Sequence, residues 1–554
     1  MSSLAAVSRS AVVGLVAGGG AAGPESPVGE GRRRVTVAAL AFVLVVAAAG
    51  ATLGYALSLP HFLFGNTEYD DGVYLGAAVA LVHGLLPYRD FVFVQPPGST
   101  LLLTPPALIS LAAGTRDAMM AARLLTAGVE VANVALVGWL LRRHGAAAVL
   151  VGGGFLVAYR ASLFAAHTVL LEPYLDLFCL VGVVLALGGD EGLASSPRLA
   201  LAGAAFGFAG AVKLWAVAPF LVLVLVVVAR GGGWRRLGAL VGGTAVGFAG
   251  PVLPFLVSAP GAMIRQVLLA QAVRPTTTRS GPGLRLMGLS GMSGGPFHAT
   301  VTDAVAAVLA YGALIGLGLL LRRGRRSPLE VFAPLAAVAV AVLLFLPAEW
   351  YYHYPAFEGP FLALSLGLAV GAVAKTGRSG LLVAGAVALA AVASFGIGTL
   401  HSERMLGRRF AFGDRGRSLE ALIPRSACAV ADAASLLVES NRFLDSRAPC
   451  PLVLDPSGLF LAEESAHGLP AARRLDSAQW LAAFGRADYL VAIQPGPAGR
   501  IAWSPGLRRY FARDFCEVRP YLYVRRSYLT RHLAARDGPL AMACYLSRTG
   551  DRRA

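Results

Sequence analysis

PPGSTLLLTPPALISLAA, residues 96–113, is the stretch on which the reading of this chain turns. It is apolar enough to pass for a membrane span, yet Pro105 and Pro106 fall in its middle. Proline removes a helical hydrogen bond and clashes with the preceding turn, so a spanning helix would break there. The first apolar run, residues 35–59, follows Arg32, Arg33 and Arg34. Arginine gathers on the cytoplasmic side of spans, so this run starts inside and delivers the chain outside. The next clear run, residues 118–141, ends in Arg142 and Arg143. Those arginines return inside only if residues 96–113 do not cross. We therefore expect a pair of interfacial helices there, on the outer face, with residues 75–82 as another.

Composition agrees with a membrane setting. Of 554 residues, 56% are hydrophobic and only 14% charged, against roughly 25% charged in soluble domains. The formal charge of +17 is almost wholly arginine, since Lys213 and Lys375 are the only lysines. The arginines flank apolar runs or lie near the C-terminus, which is a topology signal and not a nucleic-acid-binding surface. Residues 1–34 are rich in Gly, Ala, Ser and Pro and lack the compact apolar core of a signal peptide, so they are expected to form a disordered cytoplasmic tail.

The same arginine test carries along the chain. Runs at 146–164 and 169–188, 199–212 and 214–229, 237–257 and 301–321, 331–346 and 357–373, and finally 381–400 alternate outward and inward. Arg230, Arg235 and Arg236, then Arg322 to Arg326, then Lys375 and Arg378 fall inside. The expectation is a polytopic α-helical membrane protein of about eleven spans, N-terminus cytoplasmic, in the cytoplasmic (inner) membrane. Residues 35–400 form the membrane unit, with a first outer loop at 60–117. Residues 401–554 change to mixed composition. Strand-like runs at 451–455, 489–493 and 518–524 and a helical spacing at 477–484 predict an extracytoplasmic α/β domain. Cys428, Cys450, Cys516 and Cys544 all lie there; they are compatible with two disulfides in an oxidising compartment, with three pairings open.

This topology collects on one face the polar residues that packing explains least. In TEYDDGVYLG, residues 67–76, Asp70 and Asp71 form an acidic pair close to the bilayer, a costly arrangement usually tied to function. Helix capping is the plainer reading of the pair. On the same face lie Tyr88, Arg89, Asp90 and Gln95; His167 and Glu172; Lys213; Arg265, Gln266, Gln271 and Arg274; and Glu349 to Tyr354. Glu172 could simply start a helix before Pro173, Lys213 could snorkel, and residues 350–354 could be an interfacial aromatic belt. Together, carboxylates suited to proton abstraction or metal binding stand beside cations suited to a lipid phosphate.

With these residues in hand, the chain resembles the GT-C glycosyltransferases that use polyprenyl-phosphate sugars, the group of protein mannosyltransferases and aminoarabinose transferases. Asp70 and Asp71 match the family's first-loop acidic pair, and Pro96, Pro97 and Gly98 match the Pro-Pro-Gly turn after it. Gln95 stands where aminoarabinose transferases often have lysine. Glu172 before Pro173 resembles the second acidic position. Lys213 fits a lysine at the tip of a short helix pair, and His353, Tyr354 and Pro355 resemble a late His-Tyr-Pro stretch.

The resemblance implies an inverting transfer of a hexose or pentose. Asp70 is the expected base and Asp71 and Glu172 position the acceptor; Asp70, Asp71 and Glu172 would hold a divalent cation (Mg, Mn or Zn) where one is present, which only some members require. Lys213 and Arg265 or Arg274 ease the leaving phosphate. The implied partners are a polyprenyl-phosphate-linked sugar donor, a cell-envelope glycan, lipid or protein acceptor, and membrane lipids. The rival is a transporter or lipid-carrier flippase, which normally carries midplane charge and internal repeats; here the spans read as nearly free of charge apart from Glu130 and Asp303. A glycan ligase or polymerase would use the same donors with different outer loops.

Overall fold

The computed structural model describes residues 27–65, 68–189, 192–272, 280–292, 299–322, 324–347, 349–377, 379, 380, 382, 385, 386, 396, 401, 404, 414–444, 450–492, 500–532 and 544. The expected tail over residues 1–26, most of the run at 381–400 and Arg274 lie outside them.

The membrane part is built from helices α1 (Pro27–Ser58), α2 (Tyr69–Val82), α3 (Thr115–Leu141), α4 (Ala146–Ala158), α5 (Arg160–Ala166), α6 (Glu172–Leu187), α7 (Ser196–Val212), α8 (Val217–Ala229), α9 (Gly233–Ser258), α10 (Pro282–Leu289), α11 (Val301–Leu321), α12 (Pro328–Phe345) and α13 (Gly359–Ala374). Helix α1 begins ahead of its apolar run, taking in residues 27–34 that the sequence assigns to the tail.

The stretch at 96–113 folds as two short helices, Gly98–Leu102 and Thr104–Leu108, and a 3-10 turn at Ile109–Leu111. At about 1.5 Å per residue none approaches the roughly 30 Å hydrocarbon core. Pro105 and Pro106 fall in the first turn of the second helix, where a missing N–H breaks no internal bond.

Five described helices are long and apolar enough to cross a membrane: Val35–Ser58, Thr115–His144, Gly233–Ser258, Val301–Leu321 and Pro328–Phe345. Helices α4 and α5, bent by 61°, make a sixth if they form one broken span. The sequence count of about eleven grants crossings to shorter runs that became α6, α7, α8 and α13, each roughly 20–26 Å long. Apolar side chains such as Val246, Val257, Leu309 and Leu320 face outward. A continuous apolar exterior of this kind belongs in lipid, not water.

Helices α7 and α9 approach until their backbones touch. A Cβ at Gly203 or Gly207 would land on the α9 backbone at Leu240 or Thr244, and one at Gly243 or Gly247 on the α7 backbone at Ala200 or Ala204. Small residues permit such contact between membrane helices, where packing replaces the hydrophobic effect. Gly203→Leu is expected to destabilise the protein by about 1–3 kcal/mol through overpacking; a thermal melt in detergent reads the loss.

Residues 414–532 form helices α14 (Arg415–Leu422), α15 (Ala434–Glu439), α16 (Pro456–His467), α17 (Leu469–Arg486), α18 (Pro505–Asp514) and α19 (Arg526–His532) around a four-stranded sheet. Its strands are β1 (Ala429–Ala431), β2 (Tyr489–Val491), β3 (Phe515–Arg519) and β4 (Leu522–Arg525), in the order β1-β2-β4-β3. β1 and β2 are parallel and the other pairs antiparallel. The expected strand at 518–524 is split by the turn at Pro520 and Tyr521 into a hairpin. The run at 451–455 is not a strand but leads into α16, whose start Asp455 caps. Disulfides join Cys428 to Cys450 and Cys516 to Cys544.

This segment is tied to the first loop of the membrane part. Thr115 Oγ1 donates to the Val438 carbonyl at 2.6 Å, the Arg116 N–H donates to Asn441 Oδ1 at 2.9 Å, and the Arg116 guanidinium pairs with Asp414. Gly72 lies so close to the backbone of Ser435 that a Cβ would not fit between α2 and α15.

Candidate functional site

Helix α2 sets the site. Its N-cap is Glu68, whose carboxylate accepts the Tyr69 N–H at 2.8 Å and the Tyr352 hydroxyl. Asp70 and Asp71 therefore sit in the first turn, where backbone N–H groups favour negative charge. Burial first, then the charges of Asp70 and Asp71, push the Glu68 carboxyl up to about 8. A carboxyl that is raised on folding contributes stability fully present below its ordinary value near 4.5 and lost as pH rises through about 8. Melting temperature should thus fall over that window, and Glu68→Gln should flatten the fall.

The two aspartates have different surroundings. Asp71 is fully buried: Oδ2 pairs with Arg123 at 2.7 Å and Oδ1 accepts the Val169 N–H at 2.8 Å. Arg123, equally buried, also reaches Glu439 at 2.9 Å and the carbonyls of Leu63 and Gly65. One guanidinium thus ties α2, α3, the loop before α2 and the C-terminal segment together. Asp70 is only half-buried, with the Tyr74 hydroxyl one helical turn on at 3.4 Å. Burial, then the nearby carboxylates of Asp70 and Glu172, hold the Tyr74 phenol well above its ordinary range. Asp70 and Glu172 hence share one electrostatic neighbourhood.

Glu172 opens α6, with Pro173 at its second position, and is fully buried. Lys213, at the break between α7 and α8, donates to Glu172 Oε1 at 2.6 Å. The ammonium also lies 3.6 Å from the centre of the Trp215 ring and 4.7 Å from that of Tyr354. His353 Nδ1 is 3.4 Å from Glu172 Oε2. Burial lowers the His353 imidazole to about 4, with Glu172 pulling it up and Lys213 pushing it down. His353 is thus neutral at pH 7. Gly98 abuts the Ala211 carbonyl, which sets the Pro-Pro-Gly turn against the end of α7 beside Lys213.

The structure brings Asp70, Asp71, Glu172, Lys213, His353 and Tyr354 around the start of α2, the start of α6 and the end of α7. The remaining expected residues have other surroundings. The Tyr88 hydroxyl donates to the Gln95 carbonyl at 2.6 Å, an internal bond that closes its own loop. Arg89 pairs with Asp90 at 2.8 Å on an exposed turn. His167 is buried against the rings of Phe62 and Phe164. Arg265 is exposed on a π-helical turn, Ile264–Leu269, whose Gln266 accepts the Phe93 N–H at 2.9 Å.

Several contributors were not singled out from sequence. Arg123 and Asp176 are charges inside runs read as nearly uncharged, and both are buried. Asp303, read as a charge within a span, instead closes a capping box with Thr300 at the exposed start of α11. The C-terminal segment also reaches α2. The Tyr69 hydroxyl donates to Asp455 Oδ1 at 2.7 Å, and the Arg500 guanidinium lies 3.8 Å from the centre of the Tyr69 ring.

Two of the three carboxylates expected at a cation site already have basic partners. Asp71 is matched to Arg123 and Glu172 to Lys213. Among the described residues no group of three or more His, Cys, Asp or Glu is placed to hold an ion.

A bundle of apolar helices, a first loop bearing an acidic helix start and two short helices, and a second carboxylate beside a short helix pair together make a fold shared with solved GT-C glycosyltransferases. Among solved structures the chain is similar to the aminoarabinose transferase ArnT of Cupriavidus metallidurans bound to undecaprenyl phosphate, at 18% identity and TM-score 0.59, over 87% of this chain and 97% of that one. The same enzyme in its apo state aligns at 16% identity and TM-score 0.56. The oligosaccharyltransferase of Archaeoglobus fulgidus tethered with an acceptor peptide aligns at 13% identity and TM-score 0.47, over 81% of this chain and 68% of its own. No family model and no curated protein sequence matches the chain.

Proposed function

We propose that this protein is a membrane glycosyltransferase that moves a sugar from a polyprenyl-phosphate donor to a hydroxyl of a cell-envelope acceptor. The reaction occurs on the outer face of the cytoplasmic membrane, with the N-terminus inside, about eleven crossings, and residues 401–554 as an outer domain. The observation that carries the reading is the meeting of two charged groups of side chains: Asp70, 3.4 Å from the Tyr74 hydroxyl at the start of α2, and Glu172 with Lys213 and His353, whose carboxylate acts with Asp70 on the same Tyr74 phenol. The fold shared with ArnT, which was crystallised with undecaprenyl phosphate, supports the donor class.

Asp70 takes the proton of the acceptor hydroxyl as that oxygen bonds to the anomeric carbon. The bond from that carbon to the phosphate oxygen breaks, and the lipid phosphate leaves with the electron pair. The single displacement inverts the anomeric centre. Lys213, shared with Glu172 and flanked by Trp215 and Tyr354, lowers the cost of the leaving charge, and Arg265 lies on the outer approach. Asp71 is a positioning residue that fixes the helix start. No step is routed through a metal ion.

Membranes supplied with labelled polyprenyl-phosphate sugar test the reading: donor must be consumed and label appear on an acceptor. Label that crosses between leaflets without consumption of donor would assign the protein to lipid transport. The roles of Lys213 and Glu172 separate in a double variant. Lys213→Met alone strips a buried carboxylate of its cationic partner and should cost about 3–5 kcal/mol. Adding Glu172→Gln should restore the melting temperature but not turnover. Turnover that returns with stability would reduce the pair to a structural role.

A further inference from the structure

Away from the carboxylate site lies a polar cavity of about 390 Å³, bordered by Arg230, Arg236, Arg322, Arg325 and Arg326. Helices α6 and α12 each have one end at the carboxylate site and the other at this cavity, because Glu172 and His353 flank one end while Gly192 and Ser327 line the other. The two sites are therefore about 25 Å apart along the helices.

Like charges in a concavity repel, and little here offsets them. Glu330 pairs with Arg322 at 2.7 Å, but its other contacts, the Ser327 N–H and His144, already divide its charge. Asp190 and Glu191 precede Gly192 and lie outside the described residues; even with both counted, arginines outnumber acids. The cluster is also held in place: the Arg230 guanidinium donates to the Arg326 carbonyl, and Arg326 reaches the Leu319 carbonyl at 3.4 Å. Planar guanidinium groups gathered in one pocket match phosphate oxygens.

Depth identifies the source of the phosphate. Leu320 is 81% exposed just before Arg322, and Trp234 is 87% exposed just before Arg235 and Arg236. An outward leucine marks the edge of the acyl region, and an outward tryptophan beside arginines marks the headgroup layer. We propose that this arginine-lined cavity is a binding site for the phosphate of an anionic phospholipid, which bridges the ends of α8, α9, α11 and α12 on the face opposite the carboxylate site. The inference needs a membrane setting but not the glycosyltransferase reading.

Native mass spectrometry of delipidated protein titrated with phosphatidylglycerol or phosphatidylcholine tests it. Wild type should bind the anionic lipid at least tenfold more tightly, and Arg236→Gln/Arg325→Gln should lose that preference while melting like wild type in uncharged detergent. Arg235→Gln, which alters a neighbouring arginine that does not border the cavity, should keep it. Equal affinity of wild type for the two lipids would overturn the proposal, and that arm holds even if the double variant fails to fold. Loss of preference in Arg235→Gln equal to that of the double variant would also overturn it, since diffuse surface charge would then suffice. So would inorganic phosphate displacing the lipid at equal concentration, because the site would then be one for a free anion.

Discussion

Asp70→Asn should lower sugar transfer by about 10²–10⁴-fold, the usual worth of a general base, while leaving the melting temperature close to that of wild type. The amide has the shape of the carboxylate but cannot take the acceptor's proton. Asp70 is half-buried in the first turn of α2, and the substitution keeps the Arg123–Asp71 ion pair that anchors the helix start. Donor affinity should be almost unchanged, because the proton moves only as the glycosidic bond forms. A fall in turnover with unaltered donor binding is the signature of an interaction made in the transition state. Asp71→Asn should do the reverse and lose stability first. A variant at position 70 that transfers sugar as fast as wild type would leave the reaction without a base on α2.

Sequence revealed those features that depend on local chemistry. The acidic helix start could be read because carboxylates near a bilayer are costly, and the broken run at 96–113 because proline acts through its own turn. The capping box at Thr300 and Asp303 was equally local and could have been recognised from its spacing, which removes Asp303 from the span. What stayed hidden depends on distant partners. Arg123 is one charge in a long apolar run, so an averaged hydropathy passes over it; its partners Asp71 and Glu439 are far away in sequence and on different elements. Asp176 is concealed in the same way. In the C-terminal segment, β1 is only three residues of small apolar side chains, too short for alternation to register. The bonds of Tyr88 and Arg89 are hidden for a related reason: polar residues in a loop look like ligands, and their spacing does not show that they also bond within the loop. Composition predicts a face of the membrane for a residue, but it does not say which neighbour has already claimed its hydrogen bonds.

Arg123→Leu should cost about 3–5 kcal/mol, because it removes the partner of a charge already withdrawn from water. The loss is not shared equally by the two carboxylates it leaves behind. Burial already pushes Glu439 up to about 7, against the pull of Arg123 and Arg116, so it can take a proton when the guanidinium is gone. Asp71 keeps the Val169 N–H but loses the guanidinium that its Oδ2 pairs with, and this carboxylate carries the remaining cost. Arg123→Lys should recover only part of the stability. An ammonium cannot reach Asp71, Glu439 and the carbonyls of Leu63 and Gly65 in the directions that the guanidinium fork serves at once. With the start of α2 released, Asp70 would lose the fixed direction that the proposed base requires. Turnover should therefore fall together with the melting temperature in Arg123→Leu, whereas in Asp70→Asn it falls alone. Detergent-solubilised Arg123→Leu that melts with wild type would mean that the ion pair is not what holds the loop, α2 and the C-terminal segment together, and the positioning role given to Asp71 would go with it.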